Sequence, residues 1–148
     1  MAKTYAALLA SAMFVLNTSY ARAADSGNAE VNVTIVFPAT VDSFENLTVK
    51  AVLSQSTPSQ TPGFTSYQGV DSQEIGKVSH TKGTESKELL TVGSKVKLDP
   101  NLKYMVMAQV LSNGKMKGIV RSGGKPSVPV LTGGEPSAVT FTVSRILP

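Results

Sequence analysis

Few residues in this chain carry reaction chemistry, and their types exclude more than they offer. There is one histidine, His80, and no cysteine. A catalytic triad needs a nucleophile and a base oriented by a third group. A thiol nucleophile needs cysteine, and zinc sites draw on Cys and His at set spacing. His80 lies between Ser79 and Thr81 and reads as exposed or hydrogen-bonded locally at a strand end. The carboxylates are scattered: Asp42 and Glu45 flank one turn, Asp71 and Glu74 another. Glycoside hydrolysis needs two carboxyl groups at a defined separation across the sugar, and nothing here indicates that. Gly123-Gly124 and Gly133-Gly134 are followed by prolines rather than helices, so they read as turns and not phosphate loops. No run of acids has calcium-loop spacing. The expectation is a chain with no catalytic, cofactor or metal-binding residues, no cofactor and no small-molecule substrate.

One stretch departs from the pattern. Residues 104–111 are apolar on both faces of an extended strand: Tyr104, Val106, Ala108 and Val110 on one, Met105, Met107 and Leu111 on the other. Met116 and Val120 join the second set beyond Asn113-Gly114. A strand inside a sandwich needs only one apolar face. Two readings follow. Either the loop at residues 55–70 covers the second face, or that face is a groove lined by flexible, polarizable methionines that accepts a partner segment. Met105, Met107, Leu111, Met116 and Val120 are the candidate partner-binding residues.

The elements that position these residues read as strands. Val31, Val33, Ile35 and Phe37 alternate with Asn32, Thr34 and Val36 until Pro38, the period of a half-buried strand. Leu47, Val49, Ala51 and Leu53 repeat the pattern, as do Val139, Phe141 and Val143 near the end. Residues 55–70 contain Pro58, Pro62, Gly63 and Gly69 and read as a long loop, pinned to the body by Phe64 and Tyr67 or offering them to a partner. Residues 73–80 form a weaker strand, with Gly76 marking a bulge. Gly93-Ser94 splits residues 88–98 into two pieces, and Asp99-Pro100-Asn101 is a turn. Asn113-Gly114 is the preferred two-residue hairpin turn. It predicts Leu111 opposite Met116, Met107 opposite Val120 and Ala108 opposite Ile119. No segment has helical spacing. About seven short, mainly antiparallel strands with Gly/Pro turns predict one all-β sandwich.

The ends and the charge set the context. Met1-Ala2-Lys3, an apolar core at residues 6–16, and Ala21-Arg22-Ala23 read as a cleaved signal peptide over residues 1–23. Residues 24–29 then form a flexible polar lead, and residues 30–148 the sandwich. The expected site of action is outside the cytoplasm. The net charge of +4 falls to about +2 when Lys3 and Arg22 leave, because all ten acids stay. That balance does not suit a nucleic-acid reader. Residue 24 is alanine, so no cysteine is there to carry a lipid anchor, and no disulfide can assist the core. Asn32-Val33-Thr34 and Asn46-Leu47-Thr48 match the glycosylation triplet and read as ordinary strand residues.

The sequence resembles the YbaY/YscW family of bacterial envelope proteins, which includes small pilotins of type III secretion systems. The likeness rests on the first strand ending in Phe37-Pro38 and on Leu47-Thr48-Val49-Lys50-Ala51-Val52-Leu53-Ser54-Gln55-Ser56. It continues in Leu98-Asp99-Pro100-Asn101-Leu102-Lys103-Tyr104 with Met105-Val106-Met107-Ala108-Gln109-Val110, then the hairpin and Val139-Thr140-Phe141-Thr142-Val143. The resemblance implies a β-sandwich in the periplasm that binds the C-terminal segment of a secretin, chaperone-like, and meets the outer membrane only through that partner. Known pilotins of this kind are lipoproteins, and this chain lacks the cysteine. The alternative expectation is a structural or adhesive envelope component that polymerises by strand exchange; a hydrolase is disfavoured by the residue inventory.

Overall fold

The computed structural model describes residues 28–58, 62–131 and 133–148. The signal peptide at residues 1–23 and most of the polar lead lie outside the described residues. Among the described residues nine strands follow in order: β1 (Val31–Phe37), β2 (Phe44–Thr57), β3 (Ser66–His80), β4 (Ser86–Val92), β5 (Tyr104–Ser112), β6 (Lys115–Met116), β7 (Gly118–Arg121), β8 (Ser127–Val130) and β9 (Ala138–Ile146). No helix occurs among the described residues. The all-β expectation holds, with more strands than the sequence pattern suggests.

The strands form two packed sheets. One has the order β4-β1-β9-β7, and the other β3-β2-β5-β6 with β8 also on β5. The alternation read in the sequence becomes the core directly. Val31, Val33, Ile35, Phe37, Val139, Phe141 and Val143 from one sheet meet Leu47, Val49, Ala51, Leu53, Tyr104, Val106 and Val110 from the other, all buried. Burying each Val, Leu, Ile or Phe among them is worth roughly 1.5–3 kcal/mol before ordering costs. The first and last strands are neighbours: β9 pairs with β1 in parallel, Val139 opposite Val33 and Phe141 opposite Ile35. The other pairings are antiparallel.

Turn chemistry explains the local geometry. Asn113 and Gly114 both have positive φ, 51° and 80°, as a type I′ hairpin requires. The bulge foreseen at Gly76 is present. Leu47 pairs with Val78 and Val49 with Ile75, so Gly76 and Lys77 together oppose Thr48. Lys77 takes the positive φ of 58°. Asp99 holds its turn by accepting from the Asn101 N–H on Oδ1 at 2.9 Å and from the Leu102 N–H on its carbonyl at 3.0 Å. The Tyr104 hydroxyl accepts from the Asp99 N–H at 2.9 Å.

Several expectations are corrected. Residues 55–70 are not one loop. β2 runs on to Thr57 and β3 starts at Ser66, the two paired from Gln55–Gln68 to Thr57–Ser66. Phe64 does not pin this segment, being 62% exposed, and Tyr67 is also on the surface. The polar lead ends earlier than expected: Asn28 bridges Lys97, and Ala29 is fully buried and donates its N–H to the Val96 carbonyl at 2.9 Å. Of the two glycosylation triplets, Asn32 lies in β1, while Asn46 occupies a second bulge with φ of 64°.

Candidate functional site

His80 is not exposed. It is 4% accessible at the end of β3, its ring forming a triangle with Phe37 and Phe44 at centroid distances of 5.6 and 5.8 Å. Its Nδ1 shares a 2.8 Å hydrogen bond with Ser86 Oγ, so the local bond read from sequence is present. Nε2 is buried and has no hydrogen-bond partner among the described residues. A concavity of about 550 Å³ opens beside it, lined by Ser43, Phe44, Glu45, Ser79 and Thr81. Apart from His80 and Glu45 it brings together no titratable group. Among the described residues no three His, Cys, Asp or Glu side chains cluster as metal ligands. His80 packs against two aromatic rings and is anchored by one hydroxyl.

The strand with two apolar faces is β5. Its inner side chains, Tyr104, Val106, Ala108 and Val110, are buried, and Met105, Met107 and Leu111 are half-buried on the outer face. Both flanks of the segment expected to cover that face, residues 55–57 and 66–70, are strand in the same layer. Met107 stands between Val52 of β2 and Ser127 of β8, and Met105 between Ser54 and Pro129. Ser127 Oγ also approaches Met105 Sδ at 3.6 Å.

Beyond the hairpin the chain does something the local pattern does not reveal. β6 pairs with β5 only at Leu111–Met116 and Ser112–Lys115. The chain then crosses to the other sheet, where β7 pairs with β9. The Gly123-Gly124 turn, closed by reciprocal backbone bonds between Ser122 and Lys125 at 2.8 and 3.0 Å, sends it back. β8 then rejoins β5 at residues 104–107. Among the described residues, 108–110 are left without a strand neighbour on that side, apart from the Val110 carbonyl, which accepts from the Lys117 N–H at 2.7 Å. The expected pairings of Met107 with Val120 and Ala108 with Ile119 are thus not formed.

A groove of about 200 Å³ opens at this interruption, lined by Met107, Met116, Ile119, Val120, Arg121 and Leu147 among others. It lies between the two sheets at their shared edge. Three of the five sequence candidates line it: Met107, Met116 and Val120. Met116 is 59% exposed, whereas Val120 faces the core at 8%. Met105 and Leu111 share the outer face of β5 with Met107 but do not line the groove. Ile119, Arg121 and Leu147 escape a sequence reading because the crossing, not local periodicity, brings them there. Gly118 permits the crossing: a Cβ there would stand 3.0 Å from Val110 Cβ.

No family model matches the chain, and no curated protein matches it. Among solved structures, the chain is similar to an alternative pilotin from the type II secretion system of Vibrio cholerae, with a TM-score of 0.50 and 13% identity over 80% of this chain and 96% of that one. The fold is pilotin-like. At that identity the likeness speaks for architecture alone. It does not single out the YbaY/YscW family.

Proposed function

We propose that this chain is a periplasmic, non-enzymatic binding protein of the pilotin type, which captures a segment of an envelope or secretion-system protein such as a secretin C-terminal region. The observation that carries the reading is the apolar groove at the gap in β5 pairing, built on a pilotin-like sandwich. Its methionine walls suit a partner side chain of variable shape. Affinity comes from apolar burial at about 25 cal/mol per Å², less the cost of ordering the segment. The resemblance to YbaY/YscW proteins supports the same role. Cargo delivery through an acyl-cysteine is not part of the proposal, since this sequence has no cysteine.

Polymerisation by strand exchange is less favoured. It needs an open sheet edge; at the β4 edge two outward N–H groups are already occupied, so exchange there would have to break existing bonds. Thr91 N–H donates to Gln73 Oε1 at 2.6 Å, and Gly93 N–H to Asp71 Oδ2 at 2.6 Å.

The test is binding of synthetic peptides covering the C-terminal region of each secretin encoded in the same genome. One peptide is expected to bind the wild-type domain, and Met107→Glu to abolish that binding while leaving the circular dichroism and the melting transition in place. Binding that survives Met107→Glu moves the site elsewhere. Failure of every peptide removes the secretin.

A further inference from the structure

Charge is distributed unevenly over this fold. Residues 28–112 hold eight acids and seven lysines, whereas residues 113–148 hold five cations and one acid, Glu135. The five are Lys115, Lys117, Arg121, Lys125 and Arg145. They sit on the strands and turns that build the groove. Arg121 lines it, and no carboxylate does. Arg145 of β9 pairs with Ile119 of β7, itself a lining residue. Lys115 and Lys117 flank Met116, and Lys117 Nζ reaches the Leu147 carbonyl at 3.4 Å. Lys125 closes the turn beside Pro126, another lining residue. Among the described residues the one ion pair is Lys82 with Asp42. None of the five cations is therefore neutralised by an acid within the described fold.

An apolar cleft bordered by unpaired cations matches one kind of occupant. We infer that the groove docks an acidic amphipathic polypeptide segment, with apolar side chains seated on Met107, Met116, Val120 and Leu147 and adjacent Asp or Glu side chains held by Arg121, Arg145 and Lys115. This deepens the capture reading and rests on it. Arginine receives a carboxylate on two parallel N–H donors. Opposite charge across the contact also speeds encounter and sets register. A neutral segment would fill the cleft but leave the border cations without partners. A lipid surface suits the site less well. Apart from exposed Met116 and Pro126, the apolar lining is buried or half-buried, in a cleft that a chain segment can enter and a flat headgroup layer cannot.

The probe is a phage-displayed library of random peptides panned on the purified domain at low ionic strength. The enriched peptides are expected to carry Asp or Glu beside Leu, Ile, Met or Phe. Made synthetically, they should bind at least about tenfold more weakly to the Arg121→Glu/Arg145→Glu double variant, and more weakly as salt is raised. Both arginines are exposed, so the fold should be kept. Arg121→Gln/Arg145→Gln repeats the test without charge reversal and should give a smaller loss. Absence of enrichment, neutral or basic winners, or binding unchanged in both double variants overturns the inference. So does tight binding to phosphatidylethanolamine/phosphatidylglycerol vesicles that Met107→Glu leaves intact and the arginine variants remove, because the cations then serve a membrane. The secretin peptides separate the two claims. If one binds and its Asn/Gln counterpart binds equally well, the acidic inference falls and capture stands. If acidic library peptides bind the groove and no secretin peptide does, only the secretin falls.

Discussion

Tyr104 shows how one side chain can join a turn to the core. Its ring is buried at the start of β5. Its hydroxyl accepts from the Asp99 N–H at 2.9 Å and points its proton toward the Lys97 carbonyl at 3.5 Å. Tyr104→Phe keeps the packing and loses the cap. It is expected to cost about 1 kcal/mol, seen as a lower urea midpoint at unchanged slope. Gly93 is a stricter case. It holds φ of 82°, and a Cβ there would run into the Ala29 carbonyl. Gly93→Ala combines the left-handed penalty with that collision and is expected to destabilise by at least about 2 kcal/mol. Loss of less than half that in thermal unfolding would mean Ala29 can move away. The tie at residues 28–29 also explains why the polar lead read from composition stops short of residue 29. Ala29 carries no pattern of its own; its N–H bond to Val96 and its burial in the core place it.

At the scale of elements, β3 and β4 belong to different sheets yet touch edge to edge through Gln73 and Asp71. Asp71→Ala frees the Gly93 N–H from its carboxylate. The expected result is faster amide exchange at Gly93 and a stability loss of about 1–3 kcal/mol. Protection unchanged at Gly93 would show that the bond does not persist in solution. The strands most easily read were those with one buried face, such as β1, where every second residue is core. β3 was half hidden because it is an edge strand exposed over most of both faces, so little alternation marks it. β8 was missed because Pro126 and Pro129 mark a turn, although Pro129 fits an edge position opposite Met105. The Asn113-Gly114 turn was read correctly, but the hairpin it opens ends after two paired positions. Which sheet a strand joins is decided by distant partners and close approaches such as Gly118 on Val110, which no local period encodes. The candidate groove was therefore legible only on its β5 and β6 side.

Across the whole molecule, the two sheets depend on pairings between residues far apart in sequence. β9 fills the middle of the four-stranded sheet, between β1 and β7. A chain ending at Pro136 would leave Val33 and Ile35 without Val139 and Phe141 beside them. Such a truncation is expected to be unfolded by circular dichroism and rapidly cleaved by protease; a cooperative melting transition would contradict this. Pairing of this range also predicts folding slower than that of a helical bundle of similar size.

The parallel contact between the opening and closing strands has one more consequence. While the polypeptide is being made, β1 can pair with β4 on one side but has to wait for β9 on the other. Until then Ile35 and Val33 have only half of their layer to lie in. Locking of that sheet thus comes late, since its central pairing joins segments far apart in sequence.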